Sequence, residues 1–286
     1  MSRIGPTFDE LARQGRRALI MYLTVGYPER ESALELVPAI VEAGADMIEL
    51  GVPFSDPLAD GATVQRATQR ALLNGVRTSY CLEAVQTLRA AGVQVPILFM
   101  GYYNPILQYG LDRFCADSRA VGVDGLIVVD LPPEEAHELH VRCRNNGLDL
   151  IFLLAPTSTP ERIKEVAELA SGFIYCVSLT GTTGARAELP PELPRFLQRV
   201  RAVTDTPLAV GFGISEPRHA QQVAQVADGV AVGSALLNIV EASAEQGIGA
   251  VRSFVSSLRA AMDGQRPDAG SREPEDREEC GSTADV

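Results

Sequence analysis

Two carboxylic acids are the clearest candidates for chemistry. Glu49 interrupts an otherwise apolar run over 47–51, and burying a carboxylate costs several kcal/mol unless it is partnered or protonated. An acid at this position indicates a catalytic role, because desolvation raises its pKa and suits it to general acid or base catalysis near neutral pH. Asp60 follows eleven residues later, where we expect it to be more solvated and ionised. Two carboxyl groups in different environments can take different roles.

Simpler roles are open for these acids and for two more aspartates. Glu49 could instead be a structural acid bonded to backbone amides. Asp56 shares the segment of Asp60, and we expect it to be exposed. Asp130 ends an apolar run just before Leu131-Pro132-Pro133, and we expect it to cap the helix that follows.

Glycines after two late apolar runs predict a phosphate site. One run ends in Gly211-Phe212-Gly213-Ile214-Ser215, and the next ends in Gly233-Ser234. Backbone N–H groups can hold a phosphate there only if no Cβ obstructs them, and Gly184 could close a third side. The alternative is that these glycines only allow tight turns at strand ends.

The charge balance excludes several classes of partner. The chain has 37 acidic and 25 basic residues, a net charge of −12, which argues against binding nucleic acid or anionic membranes. Backbone amides and one hydroxyl would let such an acidic protein hold a phosphate without a basic patch. No apolar stretch approaches the roughly 18 residues of a membrane helix, and the N-terminus does not resemble a signal peptide. We therefore expect a cytoplasmic protein.

The scarcity of other reactive groups narrows the mechanism. Lys164 is the only lysine and falls in a predicted helix, which excludes a Schiff-base aldolase on positional grounds. The three histidines, His137, His140 and His219, also fall in helical segments, and the five cysteines form no CxxC pair. We predict no metal site, no redox dithiol and free thiols. Cofactor-free acid–base chemistry on a phosphorylated substrate remains.

Eight apolar runs, each bounded by glycine or proline, set the fold. They are continuous rather than alternating, as in parallel strands covered on both faces, and helical segments separate them. Eight such units in about 250 residues predict an α/β fold of the (β/α)8 or TIM-barrel type, whereas a doubly wound sheet usually has a glycine-rich turn after its first strand. The runs cover 18–26, 46–53, 95–102, 125–132, 149–157, 172–180, 207–215 and 229–237.

The barrel is predicted to be a single domain over 1–263 with an extra N-terminal helix. Residues 264–286 hold seven acids and three arginines without apolar periodicity, and we predict a disordered acidic tail. Asp46, Asp124 and Asp228 each stand between a helix and a strand, at the end of a barrel that serves stability, and we expect them to cap structure.

The longest connections follow the second and sixth strands. They contain 53–61 and 180–186, rich in glycine, proline and threonine, and both follow the carboxyl end of a strand, where barrel active sites are built. We expect mobile loops that close over a ligand; neutral insertion is the alternative.

Apolar and aromatic side chains near the strand ends could form a flat slot for an aromatic ligand. Most residues of this kind in any barrel are simply core, which is the alternative. The candidates are Tyr22, Met100, Tyr102, Ile127, Val129, Leu153 and Phe212.

Taken together, several motifs resemble the tryptophan synthase alpha chain family. The most specific is Glu-Leu-Gly-Val-Pro-Phe-Ser-Asp-Pro-Leu-Ala-Asp-Gly over 49–61, and the resemblance runs from about residue 7 to 262. Tyr22 stands where the family more often has phenylalanine. The supporting motifs lie at 101–105, 130–135, 180–184 and 211–214.

The resemblance implies a lyase of tryptophan biosynthesis that cleaves indole-3-glycerol phosphate to indole and glyceraldehyde 3-phosphate. It implies that Glu49 transfers the protons, that Asp60 accepts a hydrogen bond from the indole N–H and that Tyr175 positions Glu49 or the substrate. Gly184, Gly213, Gly233 and Ser234 would hold the phosphate.

The resemblance also implies a partner beta chain in an alpha2beta2 heterotetramer. The beta chain would hold pyridoxal phosphate and receive the indole, and this chain would need no cofactor. The expected contact residues, all predicted on loops at the barrel mouth, are Pro53, Asp56, Asn104 and Pro132.

Three rivals are open from the sequence alone. A stand-alone lyase would release free indole without a partner, and a non-catalytic barrel partner would keep only the fold. Indole-3-glycerol-phosphate synthase or phosphoribosylanthranilate isomerase would need a strand-end lysine or a Cys/Asp pair, which we do not find.

Overall fold

The computed structural model describes residues 2–177, 191–211, 213–242 and 247–264. Within them, nine parallel strands form one sheet in the order β5-β4-β3-β2-β1-β9-β8-β7-β6. The strands are β1 Ala18–Thr24, β2 Met47–Gly51, β3 Ile97–Gly101, β4 Gly125–Val128, β5 Asp149–Ile151, β6 Leu153–Leu154, β7 Ile174–Val177, β8 Leu208–Gly211 and β9 Gly229–Val232.

The sheet closes on itself into the predicted eight-unit barrel. Its two edge strands, β5 and β6, are separated along the chain by Phe152 alone, so together they form the fifth strand of the barrel. All eight predicted strand runs are confirmed. The last run was too long, because its second half forms a helix that begins at Ser234.

Helices alternate with the strands and cover the outside of the sheet. They are α1 Ile4–Arg13, α2 Ser32–Glu42, α3 Ala62–Leu73, α4 Thr78–Ala90, α5 Tyr103–Tyr109, α6 Leu111–Val121, α7 His137–Asn146, α8 Pro160–Leu169, α9 Leu193–Arg201, α10 Pro217–Ala224, α11 Ser234–Ala242 and α12 Ile248–Met262, with a 3-10 turn at Pro133–Glu135.

Local sequence signals explain where these helices begin and end. Thr159 caps α8 by accepting a hydrogen bond from the Arg162 N–H at 3.2 Å, and Pro160 fills the first helical position. Gly122 ends α6 in the left-handed conformation, at φ 96°, which a side chain would disfavour. Glycine and proline therefore set the strand–helix alternation that the sequence predicts.

The predicted N-terminal helix closes one end of the barrel. α1 packs Ile4, Phe8 and Leu11 against the residues that fill the barrel interior at its amino end. The Phe8 ring lies 5.8 Å from that of Phe173, just before β7. Ile4 and Phe173 are completely buried, so the interior is a packed core there and not a channel.

Three aspartates fix the amino ends of the strands, as the sequence predicts. Each directly precedes a strand and accepts a hydrogen bond from a backbone N–H at the start of the preceding strand. The distances are 2.8 Å for Leu19 to Asp46, 3.0 Å for Ile97 to Asp124 and 2.9 Å for Leu208 to Asp228. Each also binds an arginine, respectively Arg259, Arg89 and Arg201.

Other expectations have mixed outcomes. Four cysteines, at 81, 115, 143 and 176, are buried free thiols. No helix in the described part of the chain is long and apolar enough to cross a membrane. The acidic tail from 265 onward and the loop at 180–186 lie outside the described residues, so the tail, the loop and the domain boundary at 263 stay predictions.

Candidate active site

Glu49 lies inside the barrel, in the middle of β2. It pairs with Tyr22 of β1 on one side and Leu98 of β3 on the other, and it is 1% exposed. Among the described residues its Oε1 has no hydrogen-bond partner, so the alternative of a carboxylate held by backbone amides is not supported for this oxygen. Burial raises the pKa of Glu49 to about 8. Near neutral pH the group therefore carries a proton that it can donate.

Asp60 lies at the mouth of the barrel, just before α3. It is half-buried and therefore more solvated than Glu49, as the sequence predicts. Burial raises the pKa of Asp60 to about 6, against a hydrogen bond with Tyr102 that lowers it. Asp60 is therefore mostly ionised at neutral pH, when Glu49 is mostly protonated.

Tyr175 lies within the electrostatic reach of Glu49. It is 5% exposed in β7, and its pKa is raised first by burial and then by the charges of Glu49 and Tyr22. Gly211 of the neighbouring β8 makes room for its ring, because a Cβ there would lie 2.1 Å from the Tyr175 hydroxyl. The structure thus brings Tyr175 and Glu49 together in the barrel interior.

Tyr22 is held by a similar arrangement on β1 and β2. Its hydroxyl lies 3.1 Å from the Thr24 hydroxyl, and a Cβ on Gly51 would lie 2.2 Å from it. The Tyr22 hydroxyl is therefore accommodated by a buried threonine and a glycine.

A cavity beside Asp60 is lined by four of the predicted slot residues. It also has walls that the sequence reasoning missed, although Phe54, an aromatic residue in an otherwise small and polar loop, was a usable signal. The predicted members are Tyr22, Met100, Tyr102 and Val129, and the missed ones are Val52, Phe54, Thr68 and Gly101.

The other predicted slot residues lie elsewhere. Ile127 does not line this cavity: it is fully buried in the barrel interior among residues that α1 covers, so the structure makes it a core residue. Leu153 lines a second cavity of about 340 Å³ at the ends of β4, β6 and β7, and Val129 borders both cavities. Phe212 lies outside the described residues.

The glycines predicted to bind phosphate lie at the same end of the barrel as Asp60. Gly213 is exposed with φ +78°, a conformation that disfavours any side chain. Gly233 directly follows β9, and the exposed Ser234 begins α11, so the free N–H groups of that helix face the barrel mouth. Gly184 lies outside the described residues.

Two residues near the mouth differ from their expected roles. Asn104 was expected on a loop, but it is exposed in the first turn of α5, whereas Pro53, Asp56 and Pro132 lie on connections as expected. The Asp130 carboxylate accepts from the Tyr103 N–H at 2.8 Å, so it caps the preceding helix α5 rather than the one that follows.

The groups needed for Schiff-base or metal-dependent chemistry lie on the outer helices. Lys164 lies in α8, as predicted, and His137 and His140 lie in α7. Across the described ranges, no three His, Cys, Asp or Glu side chains group as a metal site would.

A parallel barrel with one carboxyl group buried in its interior on β2 and a second at the mouth beyond that strand is typical of barrel enzymes that work by acid–base catalysis. Comparison with known proteins gives the particular family. The sequence profile described as "Tryptophan synthase alpha chain" matches residues 8–263. This chain belongs to the tryptophan synthase alpha chain family.

Relatives and solved structures agree with this assignment. The tryptophan synthase alpha chain of Roseiflexus sp. (strain RS-1) is 59% identical over 260 residues, which cover 91% of this chain and 100% of the relative. That of Geobacter sulfurreducens is 49% identical over 263 residues, which cover 92% of this chain and 99% of the relative. The crystal structure of tryptophan synthase subunit alpha from Legionella pneumophila str. Paris superimposes with a TM-score of 0.86 at 39% identity, covering 92% of this chain and 99% of that one.

Proposed function

We propose that Glu49 and Asp60 carry out, in this chain, the reaction of the tryptophan synthase alpha family: cleavage of indole-3-glycerol phosphate to indole and glyceraldehyde 3-phosphate. A member of this family is a lyase of tryptophan biosynthesis. The observation that carries the residue assignment is geometric: Glu49 is 1% exposed inside the barrel, with an Oε1 unpartnered within the described part of the chain, and Asp60 lies half-buried at the mouth. Burial raises the pKa of Glu49 to about 8 and that of Asp60 to about 6, which agrees with different roles for the two.

Glu49 supplies and recovers one proton in this mechanism. Its protonated carboxyl donates to indole C3, which turns the ring into an indolenine cation. The resulting carboxylate then takes the proton of the side-chain hydroxyl next to the scissile bond. The C–C bond breaks, its electron pair returns to the ring and the aldehyde leaves, so Glu49 ends protonated again. Proton transfer of this kind contributes roughly 10²- to 10⁴-fold to the rate.

Asp60 stabilises the charge that this step creates. As a carboxylate it accepts a hydrogen bond from the indole N–H, and its negative charge favours the cation over the neutral ring. Asp60 lines the same cavity as Tyr22, Met100, Tyr102 and Val129, and this shared wall supports the role; the cavity has a volume of only about 10 Å³, so these side chains must move apart to admit a flat aromatic ring.

Tyr175 and the glycine segments complete the site. Tyr175 positions Glu49, which its burial in the same barrel interior, within electrostatic reach of that carboxyl, supports. Gly213, Gly233 and Ser234, together with Gly184, bind the phosphate through backbone N–H groups, helped by the positive N-terminal end of α11. This arrangement binds a dianion without a lysine.

A beta chain is the expected partner. The complex would be an alpha2beta2 heterotetramer in the cytoplasm. The beta chain would hold the pyridoxal phosphate, and this chain would hold no cofactor. Asp56 and Asn104 are exposed and Pro132 is partly exposed near the mouth, where they would contact the partner; Pro53 is buried and would contribute from beneath that surface. Solved structures titled tryptophan synthase from Mycobacterium tuberculosis include one at 43% identity and a TM-score of 0.84, covering 91% of this chain and 98% of that chain.

The deciding experiment measures indole release from indole-3-glycerol phosphate by the purified chain, with and without a beta chain. We expect slow release alone and faster release with the partner. High turnover alone with no stimulation would favour the stand-alone lyase. No release under either condition would reject the catalytic assignment.

A further inference from the structure

Tyr102 connects the loop that carries Asp60 to the end of β3. Its hydroxyl accepts a hydrogen bond from the Ala59 N–H at 2.9 Å, and its side chain lines the same cavity as that of Asp60, close enough to lower the pKa of that carboxyl by hydrogen bonding. Because an oxygen that accepts from an N–H still has its own hydrogen to give, and an ionised Asp60 has none, Tyr102 is the partner that can donate. The Tyr102 ring also packs on Phe54, at 5.4 Å between centroids.

The loop has a second anchor, which acts on its backbone alone. The Gln65 side chain of α3 donates to the Asp60 carbonyl oxygen at 2.9 Å and to that of Pro57 at 3.4 Å. Gln65 therefore holds the chain near Asp60 without touching its carboxylate. Of these two anchors, Tyr102 is the one that reaches the group expected to meet the ligand.

We infer that Tyr102 is a positioning residue, whose hydroxyl fixes the Asp60 carboxylate at the barrel mouth and keeps it ready to accept a hydrogen bond. The inference rests on the proposed role of Asp60 and adds to the place of Tyr102 in the cavity wall. The Tyr102 side chain then has two functions: its ring forms part of the cavity wall, and its hydroxyl orients the Asp60 carboxylate.

The electrostatics of the site agree with this geometry. Burial raises the pKa of Asp60, and within the described residues the Tyr102 hydrogen bond is the influence that lowers it. Tyr22 feels the charges of both Asp60 and Glu49, and Tyr102 feels those of Asp60 and Asp130, so the other titratable groups facing the pair are themselves acids or phenols. Without the hydroxyl, we expect Asp60 to hold its proton to a higher pH.

The test replaces Tyr102 with phenylalanine, which keeps the ring and its contact with Phe54. Carbon-13 NMR follows the Asp60 carboxyl in the ligand-free protein, with the signal assigned by its loss in Asp60→Asn. We expect the titration midpoint to rise in Tyr102→Phe. The matched control is Tyr109→Phe, which also removes a tyrosine–aspartate hydrogen bond, 2.7 Å to Asp117, but away from the mouth, and should leave the midpoint unchanged.

The kinetic readout is kcat/KM as a function of pH. We expect Tyr102→Phe to lose roughly 10- to 100-fold at pH 6.5, the usual range for losing a hydrogen bond to a charged group, and the deficit to shrink as the pH rises. In an Asp60→Asn background the same change should cost almost nothing further. An unchanged midpoint, or a loss that is the same at every pH, would overturn the inference.

A second variant guards against misfolding of Tyr102→Phe. Placing 3-fluorotyrosine at position 102 keeps the ring and the hydroxyl but makes the hydroxyl a stronger donor, so the Asp60 midpoint should fall instead of rise. A midpoint that does not fall would count against the inference. Because the NMR measurement uses no substrate, it also separates the two proposals: shifted midpoints with no turnover by the wild type would reject the proposed function and leave the role of Tyr102 standing.

Discussion

The Tyr22 hydroxyl occupies the place that a side chain at position 51 would need, because a Cβ built on Gly51 would lie 2.2 Å from the Tyr22 oxygen. Neighbouring strands thus share one volume inside the barrel. The wall of the cavity beside Asp60 depends on a glycine that does not itself line that cavity.

Gly51→Ala should therefore push Tyr22 out of position. We expect the free energy of unfolding to fall by about 1–3 kcal/mol, as for overpacked cores, and KM for the indole substrate to rise several-fold. Urea unfolding and steady-state kinetics measure the two effects. Gly249→Ala in α12, where a Cβ meets nothing within 4 Å, is the control and should change neither adversely. Equal effects from both substitutions would contradict the packing argument.

Glu49→Gln should abolish indole release while leaving the affinity for glycerol phosphate nearly intact, since the amide cannot transfer the proton. Retained turnover would remove Glu49 from the mechanism.

Glu49→Gln should also change the stability of the fold. The folded-state pKa of about 8 lies above the unfolded value of 4.5, so Glu49 stabilises the fold below pH 4.5, and this contribution is progressively lost as the pH rises toward 8. Between those pH values, denaturant titrations should show the free energy of unfolding of Glu49→Gln rising relative to that of the wild type.

The rate should have a bell-shaped dependence on pH. The acid limb reports ionisation of Asp60, whose pKa is about 6, and the basic limb reports loss of the Glu49 proton at about 8. The measurement is kcat/KM between pH 5 and 9 on the free enzyme. Asp60→Asn should lose most of the rate and the acid limb with it. A profile that is flat across neutral pH would show that neither ionisation governs the step.

Gly213→Val should raise the dissociation constant for glycerol phosphate at least about ten-fold, because the side chain would crowd the backbone N–H groups and strain a residue at φ +78°. Isothermal titration calorimetry gives the constant. Gly15→Val is a matched control for strain, since Gly15 has φ +69° and open space around it at the other end of the barrel. If Gly213→Val binds like wild type, the phosphate site lies elsewhere.

Asp124→Asn should destabilise the fold without changing kcat. Asp124 is fully buried and pairs with Arg89 at 2.7 Å and with Arg3 at 2.9 Å, so removing its charge leaves the largely buried Arg89 guanidinium without its ion-pair partner, a loss of about 3–5 kcal/mol. Asp228 makes the equivalent contact with Arg201 nearer the surface, and Asp228→Asn should cost only about 0–1 kcal/mol. Thermal or urea unfolding distinguishes the two. A matching loss for both variants would mean that burial does not set the cost.

The strands and the capping aspartates could be predicted from the sequence because their signals are local. A continuous apolar run between glycines has few other structures available, and an acid between a helix and a strand must find a nearby donor. Glu49 was predictable for the same reason, since a charge in an apolar run is expensive.

Other features depend on contacts between distant parts of the chain. Ile127 and Val129 both point into the barrel. Their positions along the barrel axis decide that Ile127 is a core residue and that Val129 lines a cavity, and the type of a residue does not indicate that position. Asp130 caps α5 because Tyr103, 27 residues earlier in the chain, ends up beside it. Thr68 reaches the cavity from a helix, and its sequence neighbourhood gives no sign of this.

The closure of the amino end by α1 has a kinetic consequence. With Ile4, Phe8 and Phe173 packed across the axis, nothing the size of indole can pass through the barrel, so entry and departure share the opposite end. A protein docked over that end would cover the route by which a product leaves. It would then determine where the product goes and how long it stays, even if it did not touch the groups that break the C–C bond.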